Sequence, residues 1–204
     1  MGTDAQGSGE GTGARVAGDH ARDDLERSAN VLGALAIAIG DRMADAVAEA
    51  AGHALTAATA LSALHHFLDA PSIDRLRQVL GLTSSGTVRL VDRLEQDGYV
   101  TRGAGADRRS RAVTLTARGR EVAQRVSAAR ARVLDDALER LTDDERARFG
   151  ELTGKVLGGL MREPGAVRWT CRLCDVATCR SEPGECPFAA EVRRRYGVDL
   201  RAAP

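Results

Sequence analysis

The sequence predicts a mainly α-helical protein with one small β-hairpin. Apolar residues recur at spacings of three, four and seven along most of the chain, as the buried stripe of a helix requires. Aromatic residues make up only 3% against 43% apolar, so the core must be built from Leu, Val and Ala, which suits packed helices. One stretch alone, from Tyr99 to Leu115, alternates like paired strands around a tip rich in glycine and arginine.

Residues 1–20 are Gly, Asp, Thr and Ser-rich with almost nothing to bury, and read as a disordered tail. From about Ala21 a first helix is marked by Leu25, Leu32, Leu35, Ile39, Met43 and Val47, ending near Gly52. A second spans about Leu55 to Asp69, with Leu61, Leu64 and Leu68 on one face, and Pro71 stops it. Ser72 caps a short third helix carrying Ile73, Leu76 and Leu80 inward, and Gly81-Leu82 makes the turn. Thr83 caps the next helix, which runs to Asp97 and ends at Gly98. Its residues Val88, Leu90, Val91 and Leu94 are expected inward.

Strands over 99–102 and 111–115 then flank the tip, with Val113 and Leu115 expected inward. Thr116 caps a long helix reaching about Leu141. The series Thr142-Asp-Asp-Glu145 is a capping-box pattern that opens a helix bearing Phe149, Leu152, Val156 and Leu160. Around 162–165 the pattern breaks. The remaining segment, 163–204, holds all four cysteines and a last short helix, about Pro187 to Tyr196. The expected division is a tail over 1–20, a helical body over 21–162 and a cysteine-bearing tail over 163–204.

A chain of 204 residues with a formal net charge of +0 can bury one good core and is not a general polyanion binder. Charge is concentrated instead. Between Tyr99 and Arg120 stand Arg102, Arg108, Arg109, Arg111, Arg118 and Arg120 against a single acid, Asp107. On the helix before them, Ser85, Arg89 and Arg93 fall four residues apart on one face, after a start of small residues (Thr83, Ser84, Ser85, Gly86, Thr87) that allows close approach to a groove floor. Hydroxyls and free N–H groups there suit phosphate or base edges, and an arginine can offer two parallel N–H groups to guanine. The hairpin tip Asp107-Arg108-Arg109-Ser110-Arg111 suits a narrow minor groove, where negative potential favours arginine. The order short helix, tight turn, second helix and basic hairpin is expected to place one helix in a groove of double-stranded DNA with the hairpin beside it.

The residues LGLTSSGTVRLVDRLEQDGYVTR (80–102) and DRRSRAVTLTARG (107–119) resemble the MarR family of winged-helix transcriptional regulators. The resemblance covers roughly residues 21–161. It implies a homodimer joined by the first and last long helices, a recognition helix at 84–96, a wing at 102–111 and a palindromic operator. It places the family's wing arginine at Arg109, with Arg108 beside it and Asp107 as the supporting acid. It also implies a small-molecule effector held between the dimer helices and the DNA-binding lobe.

Outside the resemblance, Cys171-x2-Cys174-x4-Cys179-x6-Cys186 packs four thiols into 16 residues. Four thiolates so close can surround zinc, the favoured occupant, or an iron–sulfur cluster; metal-free thiols or disulfides are the remaining readings. His65 and His66 lie near the expected effector cleft. No Ser/His/Asp arrangement, phosphate loop or acid pair points to catalysis, so a non-enzyme is expected. No apolar run suits a membrane span and no secretion signal is recognisable, so a cytoplasmic location is expected. The expected function is a MarR-type transcriptional regulator, a repressor, tuned by an effector or by its cysteine-bound metal. The rival reading is a metal- or redox-sensing module whose winged helix serves protein contact.

Overall fold

In the computed structural model, described over residues 11–104, 111–163, 166–180 and 186–197, helices dominate and a single two-stranded antiparallel sheet interrupts them. Helix α1 is Gly11–Ala51, α2 Leu55–His66, α3 Ile73–Leu80 and α4 Ser84–Gln96. Strands β1 (Val100–Ala104) and β2 (Arg111–Leu115) follow. Then come α5 (Ala117–Leu138), α6 (Asp143–Leu160), α7 (Ala166–Thr170), α8 (Val176–Arg180) and α9 (Pro187–Tyr196).

The chain divides into two compact units, residues 1–41 and 42–204. The first is α1 up to Asp41. Its helix starts at Gly11, about ten residues before the expected start, and this corrects the tail reading for residues 11–20. Residues 14–17, Ala-Arg-Val-Ala, contain good helix formers, and extending an existing helix adds a hydrogen bond per residue without a new nucleus. Within this unit Leu25, Val31, Leu32 and Ile37 are exposed.

The second unit is built around Val47, Leu61, Leu76, Val79, Val91, Leu94, Val100, Val113, Val122 and Val126, all nearly inaccessible. Local chemistry explains most boundaries. The side chains of Ser72, Thr83, Thr116 and Thr142 accept hydrogen bonds from the backbone N–H of Arg75, Gly86, Gly119 and Glu145, so each helix start has one orphan donor satisfied. Thr142 and Glu145 complete the reciprocal capping box. Helix α2 stops at His66, three residues short of expectation. Phe67 leaves helical geometry (φ −154°) and Leu68 turns inward to the core. Ala70 takes a positive φ of 42° before Pro71, a strained position for a residue with a Cβ.

The hairpin pairs Val100 with Leu115 through Ala104 with Arg111. Val113 is fully buried as expected, but Ala112 is buried beside it while Leu115 is only partly covered. The cause is a third backbone partner: Ser72 bridges to Ala112, and the Val113 N–H donates to the Pro71 carbonyl at 2.9 Å. The hairpin is thereby anchored at the start of α3.

Helix α6 differs most from its sequence pattern. Its apolar residues Phe149, Leu152, Val156 and Leu160 are exposed in the single chain, whereas Gly154 and Gly158 are buried. A Cβ at Gly154 would lie 2.7–2.8 Å from Pro187 atoms, and one at Gly158 would lie 2.2 Å from Glu191 Cγ. The glycine stripe is the seat of α9, which also buries Phe188 and Val192 against Met161 and Val167. Arg195 donates to the Gly158 carbonyl and the Tyr196 hydroxyl to the Met161 carbonyl, both at 2.8 Å.

Candidate nucleic-acid interface and cysteine segment

Helix α4 presents its polar face outward. Ser84, Ser85, Arg89 and Arg93 are exposed, as their spacing predicts. Thr83 is exposed too, but its hydroxyl already caps the helix. Thr87 corrects the sequence reading. It is fully buried and its hydroxyl donates to the Thr83 carbonyl at 3.0 Å, so it belongs to the core and cannot reach DNA. Its β-branched body packs like valine, and its one donor is satisfied on its own helix. Val88, expected inward, is 42% exposed between the serines and Arg89. On a helix lying in a major groove, an exposed valine would offer apolar contact to a thymine methyl. Pattern reading missed it because Thr87, Val91 and Leu94 make the buried stripe, and Thr87 scores as polar.

The turn before α4 rests on Gly81, which adopts a left-handed φ of 64° and closes α3 by donating to the Arg77 carbonyl. Helix α3 places Leu76, Val79 and Leu80 in the core and leaves its Asp74–Arg77 pair outside.

Arg102 is the side chain that sequence reasoning counted among the wing cations without seeing its role. Its guanidinium reaches Asp92 at 2.5 Å and Glu95 at 2.9 Å, both on α4, and its backbone N–H donates to Glu95 at 3.1 Å. The first strand of the hairpin is thus clamped to α4. Arg118 lies over the Tyr99 ring at 5.0 Å and Arg120 donates to the Leu115 carbonyl. Three of the six arginines counted around the hairpin therefore hold local structure. Arg111 is exposed at the start of β2. Asp107, Arg108 and Arg109 lie outside the described residues.

The four cysteines are partly buried, and none is in a disulfide. Cys171 and Cys174 hydrogen-bond each other, as do Cys179 and Cys186, and the two pairs lie close enough to influence each other's charge. Among the described residues no set of three or more His, Cys, Asp and Glu side chains already stands as a metal site. The Cys171 thiol is pushed up by donating to Cys174 and by burial. Cys174 is held down at about 7 by that hydrogen bond, with the guanidinium of Arg130, 4.0 Å from its sulfur, helping. Cys179 is pushed up by its bond to Cys186 and by burial.

Trp169, ahead of the cysteines, reaches the helix-turn-helix. A Cβ at Gly81 would stand 2.7 Å from its ring, so only glycine leaves room for it. Arg172 stacks on the same ring at 3.6 Å. His66 accepts from or donates to Ser127 at 2.7 Å and lies 3.5 Å from Asp175. Burial lowers its pKa, opposed by Asp175 and assisted by His65 and Arg130. His66, Ser127, Arg130, Leu134, Cys174 and Asp175 help line a cavity of about 290 Å³ between α2, α5 and the cysteine segment. Among the described residues, no helix is long and apolar enough to cross a membrane.

Residues 52–110 match the model of the MarR family. No curated protein matches the chain. Among solved structures, the YusO protein of Bacillus subtilis is similar at 24% identity and a TM-score of 0.55, covering 68% of this chain and 95% of its own. A MarR-family transcriptional regulator from Silicibacter pomeroyi is 27% identical with a TM-score of 0.51, covering 64% and 90%. Sco3205 of Streptomyces coelicolor, a MarR-family transcriptional regulator solved in complex with DNA, is 23% identical with a TM-score of 0.54, covering 74% and 94%.

Proposed function

We infer that this chain, whose residues 52–110 match the MarR-family model and whose fold is similar to MarR-family regulators, is a winged-helix regulator that binds operator DNA sequence-specifically and represses transcription. The observation that carries the reading is the exposed face of α4, where Ser84, Ser85, Val88, Arg89 and Arg93 stand together. The basic hairpin is clamped beside it through Arg102. Helix α4 enters the major groove, and the wing, with Arg111 and the tip residues Asp107, Arg108 and Arg109, reaches the flanking minor groove. The structure of Sco3205, a protein of similar fold, in complex with DNA supports this use of the fold.

The DNA is a palindrome read by a homodimer. Exposed Leu25, Leu32 and Leu35 on α1 and Phe149, Leu152, Val156 and Leu160 on α6 give each long helix an apolar face for a second copy. Repression needs only that the dimer occupy the promoter. A small effector fits the cavity beside His66 and Arg130, whose volume is near the lower end of ligand sites. The alternative regulator is a metal at Cys171, Cys174, Cys179 and Cys186.

Footprinting of the full chain on the DNA upstream of its own reading frame, paired with transcription in vitro from that template, tests the proposal. Symmetric protection over the promoter with loss of transcript is expected. No protection at micromolar dimer, or protection with increased transcript, contradicts it.

A further inference from the structure

Helix α9 is seated on α6, but the stretch between them has little core of its own. Its hydrophobic cluster consists of Met161, Val167, Phe188 and Val192, and two of its helices, α7 and α8, have five residues each. Helices so short do not persist on their own, and a core so small does not hold a loop-rich segment without a cross-link. The four thiols stand where a cross-link is needed. Cys171 and Cys174 follow α7, Cys179 lies in α8 and Cys186 caps α9. They form two hydrogen-bonded pairs. The edge of a zinc tetrathiolate is about 3.8 Å, from a Zn–S distance of about 2.3 Å, and a thiol–thiol hydrogen bond is of similar length. The guanidinium of Arg130 already points at the Cys174 sulfur, as an outer partner of an anionic thiolate centre does.

We propose that Cys171, Cys174, Cys179 and Cys186 bind one zinc ion, and that the loaded centre holds Trp169 on the turn of the helix-turn-helix. The thiols bind as thiolates, their protons passing to solvent, and no electron is transferred. On one side the centre fixes α7, whose Trp169 ring covers Gly81. On the other it fixes α9, seated on the Gly154–Gly158 stripe of α6. Metal occupancy therefore ties the reading half of the molecule to α6. Loss of metal releases the turn that sets the angle of α4. The DNA consequence rests on the proposed function, whereas the metal site and the Trp169 contact do not.

Trp169 is the only tryptophan in the chain, so its emission reports the contact directly. The test uses the full chain, purified without chelator under reducing, oxygen-free conditions. Elemental analysis should find about one zinc per chain. Stripping it with a chelator should shift Trp169 emission to the red and free four titratable thiols, and adding zinc should reverse both. Operator affinity of the stripped protein should fall at least about fivefold, the lower end of ordinary coupling between sites. Cys179→Ser should lose the zinc. Trp169→Ala should keep the zinc yet bind operator like the stripped protein, which covers the case in which the cysteine variant fails to fold. Four free thiols without metal, or a brown protein with iron and sulfide, would overturn the zinc site. Zinc present with emission and operator affinity both indifferent to its removal would overturn the coupling. Zinc and emission behaving as expected in a protein that binds no DNA at all would instead count against the proposed function.

Discussion

Replacing Arg102 by Ala tests whether the hairpin is aimed by α4. Arg102 is 20% exposed in its side chain, while its partners Asp92 and Glu95 are 45% and 39% exposed. Solvent therefore screens both pairs. Each contributes about 0.5–1 kcal/mol rather than the ~1.5–3 kcal/mol of a buried charge-assisted bond. The two together give about 1–2 kcal/mol, and for a chain of this size that lowers Tm by roughly 2–8 °C. Operator affinity should fall with it, because a freed wing must be ordered on binding. Arg102 does not itself need to touch a phosphate. Its loss should weaken binding while leaving the dependence of log K on log salt nearly unchanged. The assay is a double-mutant cycle of Arg102→Ala with Asp92→Asn and Glu95→Gln, read by thermal melts and by DNA titrations at several salt concentrations. Coupling energies below about 0.3 kcal/mol, within the error of additivity, would refute the clamp. A salt slope reduced by a full unit would show that Arg102 serves as a phosphate contact instead.

Arg89→Ala should cost about 1–3 kcal/mol at one base pair if the guanidinium reads guanine, or lower affinity evenly and reduce the salt slope by about one if it binds phosphate; titrations against single-base variants decide which. Thr87→Val should lower stability by about 1 kcal/mol, the worth of its hydrogen bond, and leave base preference intact. Val88→Ala should do the reverse, leaving the melt within about 0.5 kcal/mol and relaxing preference for thymine at one position. Gly154→Ala places a methyl against the Pro187 backbone. Its overpacking cost of about 1–3 kcal/mol exceeds the ~1 kcal/mol helix gain, so proteolysis should cut the segment carrying α9 sooner than in the wild type.

What could be read in advance was what is local. The caps at Ser72, Thr83, Thr116 and Thr142, the turn at Gly81 and the bounds of α9 depend on a few neighbouring residues, and the structure has them where the sequence puts them. So does the outward face of Ser85, Arg89 and Arg93. What could not be read depended on partners far along the chain. The Arg102 clamp needs the hairpin folded back onto α4, over a separation of seven and ten residues through a turn. The glycines of α6 looked like weak helix positions until α9 occupied them. Thr87 and Val88 exchanged faces because a hydroxyl satisfied within its own helix buries as readily as a methyl. The contact of Trp169 with Gly81 joins residues 88 positions apart, and no periodicity encodes it.

The most direct test of the central claim is selection of binding sites from random duplex DNA by the full-length chain. Enrichment of an inverted repeat is expected, with half-site centres about one helical turn apart, roughly 10 base pairs, or a multiple of that. Enrichment should be lost in the Arg89→Ala variant. Binding that enriches no motif, or a motif without two-fold symmetry, would contradict it.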